Sequence, residues 1–207
     1  MIVNMALKRI ADFHGHLCPD LVLGARLCER VLELVPSEDR GNGLAAIIAE
    51  NCTSALDAIQ IMLGITLGNQ RLKVMNYGKH NYTIIPKKGI SGFRCVLNVQ
   101  FYDNEDDYRQ LSAKMLDNTI SANEVARLQL FLDQRVKHLL GQPPQALFTV
   151  EAIEKETYVP EIPSVYMTCC QCGQQMLGSH AIRYQDKDYC IACMKQMNPG
   201  GSRYCLH

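Results

Sequence analysis

Apolar residues recur along this chain with two different periods. Between residues 19 and 35, Leu21, Ala25, Cys28, Leu32 and Val35 stand three or four positions apart. That is the spacing of one helix face, and Pro19 suits a first helical turn. Residues 43–49 (GLAAIIA) form a short unbroken apolar run, as a buried strand does. A second helical stripe, Cys52, Ala55, Leu56, Ile59, Met62 and Leu63, predicts a helix over 51–63 with Cys52 in its first turn. Alternation at Phe93, Cys95, Leu97, Val99 and Phe101 predicts a strand over 93–101, with shorter strands at 72–76 and 82–85. Helices are expected over 105–116 and 121–140. The second opens with Ser121-Ala122-Asn123-Glu124, a capping-box pattern, and stops at Gly141 before Pro143-Pro144. A last strand is expected over 146–152. These elements make an α+β body.

The pattern breaks at Val159-Pro160-Glu161-Ile162-Pro163-Ser164, which reads as an extended linker. It divides the chain into a body over 1–158 and a linker and tail over 159–207. The body has enough apolar periodicity for a core of its own. The tail is too short to bury one without a staple or a partner.

Composition narrows the class. The chain has 207 residues, 47% hydrophobic and 20% charged, with Lys+Arg 21 against Asp+Glu 21. A balanced charge gives no general reason to expect nucleic acid or an anionic membrane as partner. No apolar stretch reaches the roughly 18 residues that would span a bilayer. Residues 1–13 carry Lys8, Arg9 and Asp12 within their apolar pattern and lack the marks of a signal peptide, so a cytoplasmic location is expected. In such a compartment the ten cysteines are better explained as metal ligands or reactive thiols than as disulfides.

In the tail, Cys169 with Cys172 and Cys190 with Cys193 form two C-x2-C pairs separated by 17 residues. Each pair can present two thiolates to one tetrahedral ion, and the separation matches a four-cysteine zinc site. Gly173 suits a tight turn after the first pair, and a small hairpin turning at Gln185-Asp186 is expected between the pairs. Cys170, His180 and Cys205 remain available as substitute ligands. Such an ion would supply folding energy to the tail.

In the body, His14, Gly15, His16, Leu17, Cys18 and Pro19 concentrate metal-binding chemistry just before a helix. His14, His16 and Cys18 alternate, so in an extended segment they would share one side. Cys18 at a helix N-terminus is favoured as thiolate, the form that binds metal and attacks electrophiles. Cys52, after a strand and at a helix start, is placed similarly. His14, His16, Cys18 and Cys52 are therefore candidate ligands for zinc or another transition metal, and Cys18 and Cys52 the candidate reactive pair. Cys28 and Cys95 read as core packing.

The segment from Phe13 to Pro19, together with Gly24-Ala25-Arg26, Asp57-Ala58-Ile59-Gln60, Gly64-Ile65-Thr66-Leu67-Gly68-Asn69 and Tyr77-Gly78-Lys79, resembles the FmdE family of formylmethanofuran dehydrogenase-associated proteins. The resemblance implies a thioredoxin-like body with a mixed sheet flanked by helices, a treble-clef-like zinc finger in the tail, and a homodimer formed through the body. It also implies a metal-binding site at His14, His16, Cys18 and Cys52, and an association with anaerobic one-carbon metabolism. The chain departs from the family pattern at Asp20, Ile65 and Asn76, where Gly, Cys and Asp are common.

Two functions follow from these readings. One is a redox or metal-dependent accessory of a formylmethanofuran dehydrogenase, with Lys79 steering an anionic ligand. The other is a metal-delivery, assembly or regulatory factor whose finger docks a partner protein or nucleic acid. The tail's four basic residues form no run, which weighs against nucleic acid. No nucleophile–base–orienter set can be assigned, so the sequence names no reaction.

Overall fold

A computed structural model describes residues 2–35, 44–87, 91–98, 105–153 and 165–197. The chain divides into two units, Met1–Tyr158 and Val159–His207.

In the first unit, helices α1 (Ile2–His14) and α2 (Pro19–Leu34) precede strand β1 (Leu44–Ala49) and helix α3 (Ala55–Leu63). Strands β2 (Leu72–Val74), β3 (Asn81–Pro86) and β4 (Phe93–Leu97) follow. Helices α4 (Glu105–Leu116) and α5 (Ala122–Gly141), a short helical turn α6 (Pro144–Leu147) and strand β5 (Phe148–Ala152) complete it. The sheet order is β2-β1-β3-β4-β5. β1 and β2 run parallel, and every other pair is antiparallel.

Strand character explains the sheet's two faces. β3 and β4 alternate, with Tyr82, Ile84, Phe93 and Cys95 buried. Arg94, between Phe93 and Cys95, lies opposite Thr83 and Glu151 and pairs with Glu50 and Glu151. β1, lying between two neighbours, buries Leu44, Ala46, Ile47 and Ala49. Against this sheet pack Val22, Leu23 and Leu27 of α2, Leu56 and Ile59 of α3, and Leu139 of α5. The result is a mixed sheet flanked by helices.

Two helices meet with almost no space between them. A Cβ built on Gly24 of α2 would lie 2.5 Å from the Ala55 carbonyl oxygen and 2.6 Å from its Cα. Only glycine permits that approach, and it sets the start of α3 beside α2.

The expected helices at 19–35, 105–116 and 121–140 are present to within a residue at each end. Ser121 and Glu124 form the capping box, with the Ser121 hydroxyl accepting from the Glu124 N–H. Four expectations need correction. The strand expected over 72–76 ends at Val74. The helix predicted over 51–63 begins at Ala55, so Cys52 lies in the preceding turn. There Thr53 Oγ1 donates to Asn51 Oδ1 and accepts from the Ala55 N–H, and Asn51 Nδ2 donates to the Lys79 carbonyl. These local side-chain bonds compete with helix. The strand expected from 93 ends at Leu97, and residues 99–101 lie outside the described residues. The strand expected from 146 begins at Phe148, because Pro144 starts a helical turn. Helix α1 carries no expectation from the sequence pattern.

The second unit consists of short pieces. Strands β6 (Tyr166–Thr168) and β7 (Gln175–Leu177) form one hairpin. A 3₁₀ turn (Gly178–His180) leads to a second hairpin, β8 (Ile182–Tyr184) with β9 (Lys187–Tyr189), and then to helix α7 (Ile191–Met197). Gln185 and Asp186 both take positive φ, 47° and 60°, as a two-residue hairpin turn requires. Among the described residues, no helix is long and apolar enough to cross a membrane.

Candidate metal centres

In the tail, the Sγ atoms of Cys169, Cys172, Cys190 and Cys193 all lie within 4.8 Å of one another. Tetrahedral ligation with metal–sulfur bonds of about 2.3 Å needs sulfurs about 3.8 Å apart, so a small contraction completes the shell. The donor set therefore fits one metal ion. Local structure prepares it. Backbone N–H groups of Cys172 and Cys190 point at the Cys169 sulfur, the latter at 3.2 Å, and bring its pKa down to about 6. The Cys193 thiol is held up at about 12, chiefly by its hydrogen bond with Cys190. Cys169 and Cys193 are buried with Tyr189 and Met194 in the tail's only cluster of buried apolar residues among those described. Cys170 is exposed and outside the four-thiol group. His180 is placed against Ser179, and Cys205 lies outside the described residues.

In the body, three ligand atoms from His14, His16 and Cys18 also lie within 4.8 Å of one another. They do not share one extended segment, as their alternation predicts. His14 is the last residue of α1. The chain then turns at Gly15, whose φ of +100° is open to glycine and strained for other residues. Cys18 caps the start of α2 in an extended conformation. The imidazoles of His14 and His16 stand 4.8 Å apart.

His14 is oriented from behind. Its Nδ1–H donates to Asp57 Oδ2 at 2.7 Å, and Gln60 Nε2 donates to the other Asp57 oxygen at 3.4 Å. That bond leaves Nε2 as the free lone pair, 3.9 Å from the Cys18 sulfur. A carboxylate on the far nitrogen of a histidine is the usual support of a metal-ligating ring. The sulfur–nitrogen separation is close to the roughly 3.5 Å that a shared zinc-sized ion would set. Asp57 and Gln60 lie in the Asp57-Ala58-Ile59-Gln60 block, and their spacing on one helix face is the signal that could have assigned them this part.

Cys52 does not join this group. It is exposed in the turn between β1 and α3. Lys79 donates its backbone N–H to the Glu50 carbonyl and accepts from Asn51 Nδ2 through its own carbonyl. Near the start of α2, His80 Nε2 lies 3.7 Å from Asp20 Oδ1, while its Nδ1 lies 3.1 Å from the Tyr82 hydroxyl. Burial lowers the His80 pKa, against the opposing pull of Asp20. Cys28 and Cys95 are fully buried, and burial pushes the thiol of Cys95 up to about 12 and that of Cys28 higher.

Known proteins resemble this chain to different extents. A probable S-adenosyl-L-methionine-binding protein of Archaeoglobus fulgidus is 28% identical over 196 residues, which cover 90% of this chain and 52% of that protein. The chain thus spans about half the length of this relative. A tungsten formylmethanofuran dehydrogenase FmdE-like protein from Syntrophus aciditrophicus has the same fold. That match has a TM-score of 0.61 at 19% identity, and covers 98% of this chain and 95% of that one. The family model described as FmdE, molybdenum formylmethanofuran dehydrogenase operon, matches residues 13–149, more than half of the chain and the whole of the His14–Asp57 arrangement. This protein belongs to the FmdE family.

Proposed function

We propose that this protein is a metal-binding accessory of a formylmethanofuran dehydrogenase-type system of anaerobic one-carbon metabolism. In this reading His14, His16 and Cys18 hold an exchangeable transition-metal ion in the body, and the tail holds a structural zinc. The observation that carries it is the two-sided placement of His14, with Asp57 on one ring nitrogen and Cys18 facing the other. Three protein ligands leave a coordination position open, which distinguishes reactive or exchanging sites from closed structural ones. Cys52, exposed before α3, is not required as a ligand.

The family context supports a one-carbon role, and the sequence of hairpin, hairpin and short helix supports a treble-clef-like tail. The mixed sheet with flanking helices suits a thioredoxin-like body. We extend the reading to a homodimer formed through the body and a metalloenzyme partner, which light scattering and co-purification test.

The exposure of His16 favours a second reading, metal delivery, because an incoming ligand can reach an ion there. Anaerobic metal analysis tests both. Two ions per chain are expected, one of them removed by mild chelation, and Cys18→Ser or His14→Ala should each leave only the tail ion. A single tight ion in wild type and variants alike would end the reading. Transfer of the labile ion to an apoenzyme acceptor would select delivery.

A further inference from the structure

Among its described side chains, helix α1 is joined to the body by a small apolar contact and by His14. Its fully buried side chain among the described residues is Ile10, which packs with Leu21, Ala25 and Ala58, assisted by the partly buried Leu7 and Ala11. Met5 and Phe13 are exposed. Among the described residues, every side-chain hydrogen bond from α1 to another element is made by His14, to Asp57 and to Cys18. A helix of 13 residues is marginal on its own in water, so its order depends on those contacts.

The three ligands lie on both sides of a joint. His14 ends α1, whereas His16 and Cys18 follow Gly15 and lead into α2. Cys18 also packs against the same small cluster that receives Ile10. An ion shared by the three would clasp the end of α1 to the start of α2 while Asp57 of α3 holds His14 from behind.

We propose that filling the body's metal site and docking α1 are one coupled equilibrium. With the ion bound, α1 is held down. With the ion gone, α1 opens at Gly15 and carries His14 away, so its docking regulates how long the ion stays. This rests on reading His14, His16 and Cys18 as an ion site. Coupling of this kind is reciprocal: what loosens α1 must weaken the ion, and what removes the ion must loosen α1.

Hydrogen exchange on the 207-residue chain, with the tail site already filled, tests the proposal when zinc is added to the body site. Exchange across residues 5–14 should slow by about tenfold or more, with β1 and β3 unchanged. Ile10→Ala, which removes no ligand atom, should weaken the body ion by about tenfold and leave the tail ion in place. If β1 and β3 lose protection in that variant, Ile10→Val replaces it, with a weakening of about twofold expected. A filled body site with unchanged exchange in α1, or Ile10 variants that bind the ion as wild type does, would overturn the coupling while leaving the site intact. Failure of the wild type to take up a second ion would instead overturn the site itself.

Discussion

The two metal centres differ less in their ligands than in what surrounds them. Around the tail site, the buried cluster is Cys169, Tyr189, Cys193 and Met194, so among the described residues half of the tail's core consists of candidate ligands. Around the body site, Cys18 packs against a small cluster of Ile10, Leu21, Ala25 and Ala58, and the body's main core is built from Tyr82, Phe148, Ile47, Leu139 and their neighbours, none of which is a ligand. If the tail holds a structural ion as proposed, removing it would take away the main support of the tail fold. Removing one from the body leaves the sheet and most of its helices standing. This contrast supports the proposal that an ion in the body would be exchangeable, since the main core contains no ligand. Secondary support differs accordingly: backbone N–H groups prepare Cys169, whereas a carboxylate on a neighbouring helix orients His14.

The largest test of this contrast is Cys169→Ser. Structural zinc in small domains contributes about 10–16 kcal/mol, far more than so short a tail could recover by packing. The variant should lose the tail ion and the exchange protection of β6 to α7. The melting of the body should stay unchanged. A tail that remains protected without its ion would erase the distinction between the two centres. The next test acts on the body alone. Gly24→Ala forces a Cβ into the backbone of Ala55 and separates α2 from α3. Overpacking of this kind costs about 1–3 kcal/mol or more. It should also abolish body metal binding by moving Cys18 away from Asp57, while the tail ion stays. Urea unfolding and metal analysis on one sample read both effects.

How much of this is legible in the sequence follows from the range of the forces involved. The α2 and α5 helices and the β1 strand are written in local periodicity, and the Ser121–Glu124 cap in four adjacent residues. The tail site is equally local, since each C-x2-C pair forms within one turn. In the body, proximity in sequence identifies His14, His16 and Cys18 but not their support. Asp57 lies 43 residues from His14, and only the packing of α1 and α3 brings them together. Cys52 shows the converse. Its apolar stripe suggests a helix start, but the Asn51 and Thr53 side chains hold a turn there, and the thiol is exposed. Helix α1 is equally local, since Leu7, Ile10 and Ala11 stand at helical spacing on its packed face.

Asp57→Asn sharpens the comparison at the level of one hydrogen bond. An asparagine can still accept a bond from His14, but it carries no charge to raise the basicity of the ring. Loss of such support typically weakens metal binding by about 10–100-fold. Competition against a chelator of known affinity should show this loss for the labile ion alone, with body stability and the tail ion as in wild type. Equal weakening at both centres would mean that the variant acts through global unfolding.

The smallest expected effect is on the body's acid stability. Glu50, at the end of β1, accepts from Asn81 Nδ2 at 2.9 Å and from Arg94 at 2.6 Å. Burial alone would raise its carboxyl pKa, but the hydrogen bonds from Asn81 and Arg94 and the charge of Arg94 outweigh it, and the net shift is downward. A carboxyl group with a lowered folded pKa binds fewer protons in the folded state than in the unfolded one. Its contribution is thus fully present above the ordinary glutamate value of about 4.3 and is lost as pH falls through the lowered folded value. Glu50→Gln should cost about 1–2 kcal/mol at pH 7, and the gap from wild type should close below that window. Urea midpoints at pH 7 and pH 3 measure it. A gap of the same size at both pH values would assign the loss to packing, and would leave the ion pair with no measurable part in holding β1 to β4.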